Sequence, residues 1–388
     1  MKNATSGPVK NDYTYTIENG ETYANVTASY GALRVDPRTV EVVVSSGTVT
    51  YDGENHTVVD ASGVTEDYTY NKVKATDDGT GVLPADEDEL QSKILVVYDK
   101  NGVKSASQKD VGSYPASVQD ASESMLGDNY ILSFVNGRMD IVTDPTPITV
   151  TSPSASKVYD GTPLKDEDYT VTYGGTTLTD PEKQPDGSYV YTIPGKKSAT
   201  VTVIPKTDGV TDVDPNGQPT VNDFEVVVSD GYATPTLTKG NLEVTPRTVE
   251  VVVSKGTVIY DGNTHTVTDD PTVPTDYTYN KVKPTDDGTG ILPADETALK
   301  EKIQVEYDKD GVKAPREKDI GSYPASVKDA SEDLLGPNYK LTFVDGQLDI
   351  LPDETPITVT SPSATKVYDG TPLTDEHYTV TYGGITLT

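Results

Sequence analysis

Pro37-Arg38-Thr39-Val40-Glu41-Val42-Val43-Val44-Ser45 decides the fold, because it carries local and long-range information at once. Locally it is a short β-branched run, the composition of a strand. Over the whole chain it recurs from Pro246 to Ser254, and the match extends without a gap from Pro37–Thr179 onto Pro246–Thr388, most positions being identical. A gapless repeat of that length indicates tandem duplication. Further apolar runs are of the same kind, as in Ile94-Leu95-Val96-Val97-Tyr98 and Tyr130-Ile131-Leu132-Ser133-Phe134-Val135, with Asp-Gly, Asn-Gly and Gly-Gly pairs between them. Placed so, the apolar residues argue for an ordered all-β chain and against the disorder that acidity would otherwise suggest.

The duplicated unit divides again. Tyr-Asp-Gly occurs twice within it, at Tyr51 and Tyr159, and again at Tyr260 and Tyr368. One module closes on Asn129-Tyr130 and Gly137-Arg138-Met139-Asp140-Ile141, the next on Asn222-Asp223-Phe224 and Gly240-Asn241-Leu242-Glu243-Val244. The expected division is a type A domain at 37–144, a type B domain at 145–245 and a second type A domain at 246–353. Residues 1–36 match the close of a type B domain, through Asn11-Asp12-Tyr13 and Gly31-Ala32-Leu33-Arg34-Val35, and 354–388 match its opening. The chain is therefore expected to be a piece of a longer array. At the boundaries, Thr245-Pro246 and Asp144-Pro145-Thr146-Pro147 restrict the backbone and no Gly/Ser run loosens it, which predicts end-to-end domains forming a rod.

Composition narrows the function. The 388 residues include no Cys, no Trp and three His, with a net charge of −31 and 34% hydrophobic residues. Disulfides, thiolate zinc sites and cysteine nucleophiles are excluded. The acid excess argues against nucleic acid and against anionic membranes, because both recruit cations. No apolar run approaches the roughly eighteen residues of a membrane span, and Met1 to Lys10 is polar. Acid is spread over every module, as suits a long solvated surface.

Local motifs point to structure. Tyr51-Asp52-Gly53 reads as a strand end and tight turn, with His56-Thr57-Val58 starting the return; Asp52 or His56 as an acid or base would need a partner constellation that the sequence does not display. Pro84 to Lys93 and its copy Pro293 to Lys302 predict one short helix in each type A module, with acids first and lysine late. Asp120 to Gly127 reads as one more turn ending at its glycine, and Asp77-Asp78-Gly79-Thr80-Gly81 with its copy at Asp286 as loops. Asp212-Val213-Asp214-Pro215-Asn216-Gly217 meets the D-x-D-x-N-G calcium rule, with Asp212, Asp214, Asn216 and Asp223 as candidate ligands. Pro215 and Pro219, and an aspartate where a bidentate glutamate is preferred, favour a plain acidic turn, so no metal or cofactor is expected. No nucleophile elbow, Walker A, H-E-x-x-H or G-x-G-x-x-G motif is present, and no catalytic residue is assigned. Asn3-Ala4-Thr5, Asn25-Val26-Thr27 and Asn55-His56-Thr57 fit a glycosylation triplet that threonine-rich sequence produces by chance, and Asn71-Lys72 leaves room for a Lys–Asn isopeptide link.

Thr149-Val150-Thr151-Ser152-Pro153-Ser154-Ala155-Ser156-Lys157-Val158-Tyr159-Asp160-Gly161-Thr162-Pro163-Leu164, with Val111-Gly112-Ser113-Tyr114 and the closing Asn129-Tyr130, resembles the YDG/MBG-type bacterial immunoglobulin-like repeats of large Gram-positive surface adhesins. The resemblance covers nearly the whole chain. It implies tandem immunoglobulin-like β-sandwich domains, an exported protein at the cell surface or cell wall, no catalytic residues and a stalk role as a monomeric array. Type A departs from the pattern in Val49-Thr50-Tyr51-Asp52-Gly53-Glu54-Asn55-His56 and in its helix, which leaves a β-grasp module as an alternative there. Two further functions stay open at this point: repeats that themselves bind host glycan, mucin or extracellular matrix protein by avidity, and an accessory region of a secreted hydrolase.

Overall fold

The computed structural model of the chain describes residues 2–16 and 27–388. The triplet at Asn25 falls outside these residues, and of the segment 1–36 only 2–16 and 27–36 are described. The protein is mostly β, 40% strand against 6% helix. It divides into two compact units: Met1–Ser152 with Glu167–Lys206 and Asp223–Lys239, and Pro153–Asp166 with Thr207–Asn222 and Gly240–Thr388.

Within the first unit, residues 37–144 build two sheets. Arg38–Val44 is central in one, parallel to Tyr130–Val135 and antiparallel to Tyr68–Tyr70. The other runs in the order Gly47–Thr50, Gly137–Val142, Gly112–Val118, Val96–Lys100, Val103–Ser105, its first pair parallel and the rest antiparallel. Strand periodicity explains the sorting: Val40, Val42 and Val44 are buried while Thr39 and Glu41 face water. Both sheets contribute to one core, with Leu132 and Val42 from the first and Met139, Ile141 and Ala116 from the second.

Two of the chain's changes of sheet are made within one or two residues, at Ser45-Ser46 and at Asn136, and these two crossings touch. A Cβ on Gly137 would collide with the Ser45 carbonyl oxygen, and one on Gly346 with that of Ser254 in the second copy. That contact is why glycine stands at 137 and at 346. The expected helix is present as α1 (Glu87–Lys93) and its copy α2 (Glu296–Lys302), shorter than the sequence suggests because Pro84–Asp86 forms a 3-10 turn. Leu90 and Leu299 are fully buried, so each helix joins a core shared by two sheets; this is not the single crossed sheet of the β-grasp alternative. Asp120 to Gly127 is a series of turns closed by Gly127 at φ 75°.

The rest of the first unit holds two four-stranded sheets. One runs Thr176–Thr177, Thr170–Tyr173, Ile148–Thr151, Thr236–Thr238; the other Glu182–Lys183, Tyr189–Thr192, Thr200–Pro205, Phe224–Val228. Ile148, Val150, Val171, Ile193, Val201 and Phe224 are among the residues of their shared core. Val9–Lys10 and Ala32–Leu33 pair as a two-stranded ribbon.

The second unit repeats the 37–144 architecture over 246–353, strand for strand. It also holds a three-stranded sheet in which Asn241–Thr245 lies between Ala155–Val158, parallel, and Thr220–Val221, antiparallel. Ile357–Thr360, Thr379–Tyr382 and Ile385–Thr386 form a further antiparallel sheet.

Candidate functional site

The Tyr-Asp-Gly turns hold more chemistry than their sequence displays. Asp52 accepts the Glu54 N–H at 2.8 Å and lies 3.0 Å from His56 Nε2, while His56 Nδ1 faces Asp60 at 3.5 Å. His265 is set in the same way between Asp261 at 2.9 Å and Asp269 at 3.5 Å. Burial pushes the Asp52 carboxyl upward, but the Glu54 N–H and His56 outweigh it and hold it below the ordinary carboxylate range. A carboxylate–imidazole–carboxylate constellation is thus present in both copies. The sequence signal for it was the shared spacing D-x3-H-x3-D. With both ring nitrogens facing carboxylates, neither is open to a third group, and the histidine anchors its turn. His56 and Gln108 exchange main-chain hydrogen bonds at 2.7 and 3.0 Å, as do His265 and Glu317.

Two of the four Tyr-Asp-Gly tyrosines, Tyr51 and Tyr159, also pack on a second tyrosine far along the chain. In the first unit Tyr51 meets Tyr232 edge to face, with ring centroids 5.5 Å apart, and Gly231 is closed to any side chain by the Tyr51 ring. Beneath them Asp144, 2% exposed, accepts from the Tyr173 hydroxyl at 2.6 Å, from Thr146 and from Lys196 Nζ at 3.0 Å. Burial opposes the Asp144 charge, yet these donors together hold its carboxyl well below the usual range. The Tyr232 hydroxyl, buried and without a hydrogen-bond partner among the described residues, is pushed up to about 12 chiefly by that burial.

In the second unit the same relation is built around an arginine. Tyr159 packs edge to face on Tyr339 at 5.6 Å, and its carbonyl accepts Arg247 Nη1 at 2.8 Å. Arg247 is fully buried. Its remaining donors go to both carboxylate oxygens of Asp286 and to the carbonyls of Thr289 and Gly290, so all five N–H groups are satisfied. Arg38 makes the equivalent bonds to Asp77, Thr80 and Gly81, but among the described residues its fifth donor has no acceptor. The loops at Asp77 and Asp286, read above only as turns, are therefore arginine receptors. The Arg38 fork lowers the Asp77 carboxyl to about 2.

Three of the four candidate calcium ligands have side chains engaged otherwise. Asp212 accepts from Asn338 Nδ2 at 2.9 Å, Asp214 caps its own loop through the N–H groups of Asn216 and Gln218, and Asp223 pairs with Lys239 at 2.5 Å. Asn216 joins through its main-chain N–H. Among the described residues no three His, Asp or Glu side chains are grouped to hold a metal ion. Asp212 and Asp214 do line a cleft of about 310 Å³ with Leu242, Val244 and Pro246. Of the isopeptide pair, Asn71 accepts the Glu41 N–H while Lys72 reaches Glu87 at 2.7 Å. Compared with protein-family models and with curated proteins, the chain finds no match.

Proposed function

We propose that the chain is a run of structural stalk repeats from an extracellular bacterial surface adhesin, non-enzymatic, with tandem immunoglobulin-like domains at 37–144, 145–245 and 246–353 that hold a distal binding domain away from the cell. The observation that carries this reading is a contact made twice: the tyrosine of a Tyr-Asp-Gly turn packed on a tyrosine that falls in the next of these domains, at Tyr51–Tyr232 and at Tyr159–Tyr339. A repeated element spent on joining modules is what a spacer needs. Prolines at the boundaries and acid spread along the chain support the same role. Small-angle scattering on the chain tests it. An elongated particle is expected; a radius of gyration near about 21 Å, the value for one compact body of this length, would refute it.

A further inference from the structure

In each type A module a pair of tyrosines stands at the edge of a sheet, beside the helix. The edge strand Tyr68–Tyr70 places both rings on the side of Val42 and Val44, with centroids 6.3 Å apart and planes 34° from one another. Neither tyrosine is fully buried, and with Glu66, Lys72 and Gln91 they line a cleft of about 460 Å³. The second tyrosine is fixed from α1. Its hydroxyl donates to Glu87 Oε2 at 3.1 Å and accepts from Gln91 Nε2 at 2.8 Å, while Lys72 holds the same Glu87 oxygen at 2.7 Å. The platform is therefore set before any ligand arrives.

The duplication repeats this geometry. Tyr277 and Tyr279 lie 6.2 Å apart at 38°, the Tyr279 hydroxyl donates to Glu296 Oε2 at 3.2 Å, and Lys281 pairs with Glu296 at 2.9 Å. Asp67-Tyr68-Thr69-Tyr70-Asn71-Lys72-Val73-Lys74 and its copy at 276–283 are identical, although five of the six residues just before them differ. What varies around the rings is charge. Glu66 is replaced by Thr275 and Gln91 by Lys300, so the two copies share groups that bond hydroxyls and share no net charge that an ionic ligand would need.

An uncharged ligand with an apolar face and a polar rim matches those terms. A pyranose whose hydroxyls are equatorial has that form: its axial C–H bonds lie flat on a tyrosine ring, and its hydroxyls project to the polar groups around the cleft. A β-1,4 linkage keeps successive rings extended, as two neighbouring tyrosines require, whereas an α-1,4 linkage coils the chain. A peptide added as a strand would draw its affinity from main-chain bonds, of which a three-residue edge supplies few. Acidic saccharides are repelled by a chain of charge −31.

We propose that each type A module carries a binding site for a neutral β-1,4-linked chain of glucose or N-acetylglucosamine, at Tyr68 and Tyr70 and again at Tyr277 and Tyr279. Titration calorimetry of the full chain with cellopentaose, with chitopentaose and with maltopentaose as the coiled control is the test. At least one of the first two should bind saturably, and maltopentaose at least about tenfold more weakly. Tyr68→Phe/Tyr277→Phe keeps the rings and should bind like the native chain, while Tyr68→Ser/Tyr277→Ser should lose about tenfold or more. Because Tyr68 and Tyr277 also pack against the cores, circular dichroism and Tm accompany each variant. The exposed pair Gln91→Ala/Lys300→Ala leaves the cores untouched and should weaken binding about threefold. Failure of both β-1,4 pentasaccharides to bind, equal binding of maltopentaose, or undiminished binding by the Gln91→Ala/Lys300→Ala variant would overturn the proposal.

Discussion

The Nη1 of Arg247 donates to the main-chain carbonyl of Tyr159 at 2.8 Å, 88 positions earlier in the chain, and with that bond its guanidinium has no donor left over. Arg247→Met keeps much of the side chain's volume but leaves Asp286 and the carbonyls of Tyr159, Thr289 and Gly290 without their donor. A loss of about 3 kcal/mol is expected, against about 1–2 kcal/mol for Arg38→Met, where that bond is not made. Hydrogen exchange of the Arg38–Val44 and Arg247–Val253 strands in each variant measures both. Equal losses would show that the Tyr159 bond adds nothing.

The ion pair of Asp144 and Lys196 is sensitive to both ends of the pH scale. The Asp144 carboxyl is depressed below its ordinary 3.8, so its contribution is complete above that value and is lost as pH falls through the lower folded value. For Lys196, burial lowers and Asp144 more than restores, leaving the amine above 10.5; its contribution is complete below that pH and is lost as pH rises through the raised folded value. Asp144→Asn should flatten both limbs in a pH series of thermal unfolding, and a Tm profile unchanged by the substitution would contradict the assignment.

Gln108 and Glu317 occupy the same buried position in the two copies, 8% exposed in each. Gln108 donates Nε2 to the Tyr98 carbonyl at 3.2 Å, which an ionised Glu317 cannot imitate. Burial raises the Glu317 carboxyl above 4.5. A raised acid stabilises the folded state below the unfolded value and loses that contribution as pH rises through the folded one. Glu317→Gln should therefore stabilise residues 246–353 at pH 7 by about 1 kcal/mol and have little effect at pH 4. Chemical denaturation at the two pH values, followed by exchange in that region, decides the point.

Gly137→Ala and Gly346→Ala place a methyl group against main-chain oxygen at the paired sheet crossings, where no side chain can move aside. Each should cost several kcal/mol and lower Tm. Gly102→Ala, with φ 86° but open space around it, should cost about 1 kcal/mol, the strain of the backbone alone. Comparable effects at Gly137 and Gly102 would mean that the crossing relaxes.

Much of the fold was legible because it is written in local pattern. The valine alternation of Arg38–Val44 places a strand and its buried face, and Pro84 with its acids places a helix, too long by its first turn. What stayed hidden depends on residues far apart in sequence. Nothing near Tyr159 announces that its carbonyl is needed by Arg247, and Asp77-Asp78-Gly79 reads as punctuation until the arginine fork is seen against it. The histidine constellation was hidden for another reason. Its spacing was in plain view at Asp52, His56 and Asp60, but in a chain this rich in acid one more pair of aspartates carries little signal.

The parallel pairing of Arg38–Val44 with Tyr130–Val135, and of Gly47–Thr50 with Gly137–Val142, has a mechanical consequence. The strand by which the chain enters this module and the strands by which it leaves run side by side in one direction. Tension on the chain pulls them along their length in opposite senses. The evenly spaced bonds of a parallel ladder are then loaded together in shear, where an antiparallel hairpin pulled from its open end would release them one by one. The second copy repeats the arrangement through Arg247–Val253 with Tyr339–Val344 and Lys255–Ile259 with Gly346–Leu351. Each such module is a clamp closed by its own first and last strands.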